Sequence, residues 1–166
     1  MSDVAADFGN LIAERIRAEH VSISSRWLEP LHQLLPVEIT EIFPSEELLD
    51  HVPALIKEVA AHVESPDAEA VAANTAIIAK AQELGELRHA QRASLHQLLT
   101  EYRLLGSILA AFVQEELASL GPGPTASDAI GVLRRRHEAL WILMQATVNT
   151  FIAEYTETIA THTTLV

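Results

Sequence analysis

Apolar residues recur along this chain at steps of three and four, and the places where that rhythm fails divide it into helices. The first run is Phe8, Ile12, Ile16, His20, Ile23, Trp27 and Leu31, which is one face of a single long helix that Ser2 or Asp3 can cap. Pro30 and Pro36 bracket its end. Leu34 to Pro44 mixes Val, Ile and Thr with prolines and reads as an extended connection rather than a strand. Ser45-Glu46-Glu47 begins a short helical turn. Pro53 would remove a backbone donor from a helix interior, so the expectation is a new helix capped by Asp50, with Pro53 in its first turn. Leu55, Ile56, Val59 and Val63 form the stripe that follows, and Ser65-Pro66-Asp67 breaks it.

An Ala-rich helix is predicted from Asp67 to about Arg92, with Val71, Ile77, Ile78, Ala81 and Leu84 inward. Gly85 weakens it by roughly 1 kcal/mol relative to Ala, and a bend would fall there. Ser94-Leu95-His96-Gln97 matches a capping box, so the chain should break near Ala93 and start another helix running to about Leu120. That helix carries a wide apolar stripe: Leu95, Leu98, Leu99, Tyr102, Leu105, Leu109, Phe112 and Val113. Leu120-Gly121-Pro122-Gly123-Pro124 is the strongest breaker in the sequence. Thr125 or Ser127 then caps a last helix with no stop signal before Val166. Within it Trp141, Gln145, Val148, Ile152, Tyr155, Ile159, His162 and Val166 alternate steps of four and three, the 3.5-residue seam of a coiled coil. Glu154 to Val166 is Thr-rich and a poor core helix by itself. It is either a frayed tail or the paired output helix of a parallel dimer.

Composition agrees with an all-α reading. The 166 residues fit one domain and are 49% hydrophobic, with six Gly and seven Pro. The sequence has no Cys, which removes disulfides, thiolate chemistry and Cys-based zinc sites. The net charge of −12 leaves no concentrated basic face for phosphates beyond Arg134-Arg135-Arg136, so nucleic acid is not an expected partner. Apolar runs such as Ile108 to Val113 fall far short of the ~20 residues that span a bilayer. The opening MSDVAADFGN lacks the basic start and apolar core of a signal peptide. The expected location is the cytoplasm, with no membrane partner.

Catalytic and metal motifs are missing as well. Eight histidines invite a metal or heme reading, but no HExxH occurs. His89 and His96 are separated by the predicted break, so surface or capping histidines are the ordinary reading. His137-Glu138-Ala139-Leu140 superficially resembles a kinase phosphoacceptor box, yet Trp141 and Ile142 stand where that box needs Arg and Pro. GxSxG, P-loop and GxGxxG patterns are absent. Glu38, Glu41, Glu46 and Glu47 lie around loops and helix starts, where solvation and the helix dipole explain them. The expectation is a non-enzyme without a cofactor. Ionisable residues concentrate instead in His89 to Leu109, at His89, Arg92, His96, Glu101, Tyr102 and Arg103. There Tyr102 belongs to the core stripe. Glu101 and Arg103 flank it, Glu101 pairing with Arg92 or with an Arg of another helix. The alternative for these flanking charges is a polar network at a dimer seam or ligand pocket.

His89-Ala90-Gln91-Arg92 (HAxR) followed by a Ser-capped helix and by EYRLL resembles the N-terminal sensor domain of RsbR/RsbRD-type stressosome proteins, a module that also heads bacterial sensor histidine kinases. Arg26-Trp27-Leu28, Asp50-His51-Val52-Pro53 and Phe151 to Thr158 extend the resemblance over essentially the whole chain. It departs from the family pattern after Arg92, where a Gly is common and Ala93-Ser94 stands, so the turn is tighter or the two helices run on as one. The resemblance implies an all-α, globin-like helical bundle without heme, with residues 1–145 as the sensor domain and 146–166 as a coiled-coil output helix continuous with its last helix. It implies a homodimer that signals to an output domain, STAS or histidine kinase, or to a partner signalling protein. The motif residues His89, Arg92, Glu101, Tyr102 and Arg103 are then family markers or interface groups. Trp141, Val148, Ile152, Tyr155 and Ile159 carry the dimer seam. The competing class is a heme- or small-molecule-binding globin-type sensor with His89 or His96 on the iron.

Overall fold

The structure is a computed structural model, and it describes residues 2–34, 46–64 and 75–164. Among the described residues there are six helices and no strand: α1 (Ser2–Ala18), α2 (His20–Leu34), α3 (Glu46–Glu64), α4 (Thr75–Ala90), α5 (Leu95–Leu120) and α6 (Ala126–Thr164). The all-α fold with a long C-terminal helix is the one the apolar periodicity predicts. Ser65 to Asn74 lie outside the described residues, and with them the predicted break, the helix start at Asp67 and the inward position of Val71.

The first apolar run makes two helices rather than one, but the interruption is slight. Glu19 sits between α1 and α2, and backbone bonds still cross it, from the Glu19 N–H to the Arg15 carbonyl at 3.0 Å and from the Ile23 N–H to the Glu19 carbonyl at 2.9 Å. His20 Nδ1 lies 2.7 Å from the Arg17 carbonyl, which gives that carbonyl a side-chain partner at the junction. Pro53 does not open a helix. It lies inside α3, whose helical turns run from Glu46 through it. The ring removes one donor to the preceding turn, and burial of Val52, Leu55, Ile56, Val59 and Val63 offsets that loss.

The break before α5 forms as the capping box predicts. Ser94 Oγ accepts from the Gln97 N–H at 3.0 Å, and Gln97 Oε1 accepts from the Ser94 N–H at 2.7 Å. The end of α4 closes with paired reverse bonds, from the Ala93 N–H to the Arg88 carbonyl and from the Arg92 N–H to the His89 carbonyl, both at 3.0 Å. That closure needs a left-handed residue, and Arg92 supplies it at φ 60° in a place glycine usually fills. The departure from the family pattern thus gives a tight turn, and the helices do not run on. Gly121 takes φ 69° after α5, and Thr125 caps α6 by a reciprocal exchange with Asp128 at 2.9 and 3.1 Å.

One contiguous core joins all six helices, from Phe8, Ile12 and Ile16 on α1 to Val132, Leu143 and Phe151 on α6. Gly106 faces Leu140 and Tyr102 faces Thr147, so α5 and α6 run antiparallel. Gly85 faces Thr147 and His89 faces Phe151, so α4 and α6 run parallel. Gly85 marks no bend, since α4 is continuous from Thr75 to Ala90. A Cβ there would lie 2.4 Å from the Thr147 carbonyl oxygen, and its absence lets α4 close against α6. Two positions of the α5 stripe stay outside the core: Leu95 and Leu99 are exposed while Leu98, Tyr102 and Leu105 are buried. A stripe that wide exceeds what neighbouring helices cover on one face.

Candidate functional site

The ionisable residues of the His89–Leu109 stretch separate into a buried set and an exposed set. Glu101 is 5% exposed, and its partner is Arg88, 1% exposed, not Arg92. The inward stripe of α4 through Ala81 and Leu84 carries Arg88 one turn on into the core, while Arg92, past the turn, points outward. The Arg88 guanidinium meets Glu101 with two donors, Nε to Oε2 at 3.2 Å and Nη2 to Oε1, and its Nη1 donates to Gln91 Oε1 at 2.5 Å. Burial pushes the Glu101 carboxyl above the usual glutamate range, and the facing Arg88 charge pulls against that shift. The Glu101 main chain has a further role, since its carbonyl accepts from Trp27 Nε1 of α2 at 2.9 Å.

Tyr102, one residue on, reaches α6. Its hydroxyl lies 2.6 Å from Thr147 Oγ1, and the Leu143 carbonyl accepts from both hydroxyls, at 3.0 Å from Thr147 and 3.5 Å from Tyr102. Burial pushes the Tyr102 pKa up and keeps the phenol protonated. His89 completes the set of contacts to α6, with its ring edge-on to Phe151 at 5.6 Å and to Tyr155 at 6.4 Å. Trp27, Glu101, Arg88, Tyr102, Thr147 and His89 thus tie α2, α4 and α5 to one stretch of α6, residues 143–155.

Sequence reasoning named Glu101, Tyr102 and His89 but missed Arg88 and Thr147. Both carry a legible signal. Arg88 follows Ala81 and Leu84 at helical spacing, and Thr147 lies midway between Leu143 and Phe151 at steps of four. Arg103 is exposed and belongs to a different place, a groove of about 430 Å³ between α5 and α6. His96 is also exposed. Not every histidine is superficial, however: His62 is buried, with Nε2 3.6 Å from Glu138 Oε2.

Chemically, the buried set is closed. The Arg88–Glu101 pair is shielded from solvent, and Gln91 takes the remaining Arg88 Nη1 contact. Among the described residues no three His, Asp or Glu side chains group so as to hold a metal. The gap beside Trp27, Glu101 and Tyr102 has about 20 Å³, the room of one water-sized probe. No described helix is long and apolar enough to cross a membrane.

Beyond the buried contacts, α6 changes character. Among the described side chains of α6 Phe151 is the last buried one, while Trp141, Ile152, Tyr155 and Ile159 are 46–57% exposed. Val148 is half-buried, and the side chains of His162 and Val166 lie outside the described residues. At 39 residues α6 is about 58 Å long.

These features define a class: an all-α domain whose internal polar groups hold three helices onto a long C-terminal helix. Over residues 22–165 the chain matches the family described as the RsbT co-antagonist protein rsbRD N-terminal domain, and it belongs to that family of stressosome-type sensor domains. No curated protein and no solved structure matches the chain.

Proposed function

We propose that this chain is a non-catalytic sensing module that acts as a homodimer and passes its signal through paired α6 helices to an output domain, of STAS or histidine-kinase type, or to a partner signalling protein. The observation that carries the reading is the stripe of exposed Trp141, half-buried Val148 and exposed Ile152, Tyr155 and Ile159, whose coiled-coil spacing continues past Phe151. Large apolar side chains left in water on one helix face favour a covering partner. In heptad terms Ile152 and Ile159 fall at a positions, where β-branched residues favour two parallel strands. The buried contacts to residues 143–155 give the domain a grip on that helix. A change in domain packing that favours one register or angle of the pair would then shift its population. The family and the closed polar set support a sensing role over catalysis, and a cytoplasmic location accords with them.

Sedimentation of the chain at micromolar concentration checks this reading. A dimer is expected, and Ile152→Asp should be a folded monomer, because it puts two charges into one seam position. A monomeric wild type, or an unchanged dimer in the variant, would sink the proposal. The heme-globin alternative puts His89 or His96 on the iron; His89 lines a hollow of about 860 Å³, but its ring is already engaged edge-on by Phe151 and Tyr155. Reconstitution with hemin should give no Soret band.

A further inference from the structure

The groove between α5 and α6 has a chemistry unlike the rest of the molecule. The chain carries a net charge of −12, yet the groove lining includes Arg103, Arg136 and His137 and not one carboxylate. Arg136 Nη1 donates to the Gly106 carbonyl at 2.9 Å. Its Nε is shut off from solvent without a hydrogen-bond partner. Among the described residues no ion pair involves Arg136, whereas Arg15, Arg17, Arg26 and Arg88 each face a glutamate. Burial lowers the Arg136 pKa, the sign of a cation held without its counter-charge. Gly106 is fitted to this arrangement, since a Cβ there would stand 3.1 Å from Arg136 Nη1.

Beside the guanidinium the wall turns apolar and flat. Trp141, 49% exposed, stacks with His137 at a centroid distance of 6.3 Å and an interplanar angle of 29°. Leu99, Leu140 and Met144 complete a hollow of about 430 Å³, within the size range of small-molecule sites. We propose that this groove binds a small aromatic carboxylate, its anionic head against the Arg136 guanidinium with Arg103 at the rim, and its ring against Trp141 and the Leu140–Met144 wall. Charge complementarity commits the occupant: an anion supplies what Arg136 lacks, and an aromatic body matches the stacked platform. An anionic membrane surface is disfavoured because the rest of the protein repels it. A second copy set against this face by a two-fold axis would bring cationic groups of both copies together. The inference deepens the sensing role proposed above by naming a ligand class; Trp141 is common to the groove and the upper end of the proposed α6 seam, and binding by the monomeric Ile152→Asp variant separates failure of the site from failure of the dimer.

Calorimetric titration of the whole chain with 2-naphthoate, and with its uncharged isostere 2-naphthamide, tests it. A ligand of that size should bind the carboxylate site with Kd of about 1 mM or tighter. The amide should bind on the order of tenfold more weakly, the difference expected for a charge-assisted contact. Arg136→Gln should cost the carboxylate about that tenfold and leave the amide unchanged. The Ile152→Asp variant should bind the carboxylate as the wild type does. Equal binding of carboxylate and amide, or full carboxylate binding by Arg136→Gln, overturns the proposal. Binding by Ile152→Asp alone also overturns it, because the groove is then the seat of a second copy. If Arg136→Gln does not fold, the wild-type comparison is read at the Trp141 indole N–H resonance, with the buried Trp27 as reference. A carboxylate-induced shift at Trp141 that the amide does not match supports the site, and none at saturation overturns it.

Discussion

Glu101 shows how a single side chain is placed by what surrounds it. Its carboxylate is buried at a cost that only the two-pronged Arg88 contact offsets, so removing one partner costs more than the pair itself contributes. Arg88→Met should therefore destabilise the fold by about 3–5 kcal/mol at neutral pH. The pH dependence has a definite sign. Burial raises the Glu101 pKa and Arg88 opposes it, so without Arg88 the folded-state value stands further above the unfolded one. Such a group costs stability above its unfolded pKa and nothing well below it, so the deficit should widen as pH climbs from about 4.3. Urea melts of wild type and variant across that range check it, and a deficit independent of pH would show that Glu101 is not the titrating group. The spacing from Ala81 and Leu84 turns Arg88 inward, but neither residue announces this pairing in sequence, because the left-handed turn at Arg92 sets how α5 returns beside α4.

At the scale of elements, close approach decides more than propensity. Gly85 in an Ala-rich helix looks like a weakness, and replacing it with Ala would gain roughly 1 kcal/mol of helix propensity. In the folded protein its missing Cβ is where the Thr147 carbonyl lies, 2.4 Å from the position a methyl would take. Since the clash is with backbone, α4 and α6 would have to move apart. Gly85→Ala should thus be destabilising on balance, by about 1–3 kcal/mol. Thermal melts measure it, with unchanged or raised stability as the contrary outcome. The displaced crossing is also the one that holds Thr147 to Tyr102, so the Tyr102 ring environment should shift in the same variant.

For the whole molecule the informative boundary is Phe151, the last core residue among the described side chains of α6. Ending the chain after Tyr155 keeps the ring contacts to His89 and removes a stretch whose described side chains, Thr156, Glu157, Ile159, Ala160 and Thr161, are exposed. Such a truncation should still unfold cooperatively. Wild-type melting temperature should rise with protein concentration, as a dimer requires, and that of the truncated chain should depend on it far less. Differential scanning calorimetry over a hundredfold concentration range checks both parts, and a concentration-independent wild type would remove the dimer's contribution to stability.

The sequence by itself determined the helices that start on strong local signals, the box at Ser94 and Gln97 and the cap at Thr125, because those interactions are completed within one turn. It also set the repeat of apolar positions along α6, since a spacing of 3.5 residues is a property of one helix. Only the tertiary structure decided what lies between elements. It turned Arg88 onto Glu101, set Thr147 against Tyr102, placed Gly85 at a crossing and left Leu95 and Leu99 outside the core. It also gathered Arg103, Arg136 and His137 into one groove. The reason is geometric: periodicity fixes which face of a helix is apolar, while the partner each side chain meets depends on crossings set by residues far away in the chain.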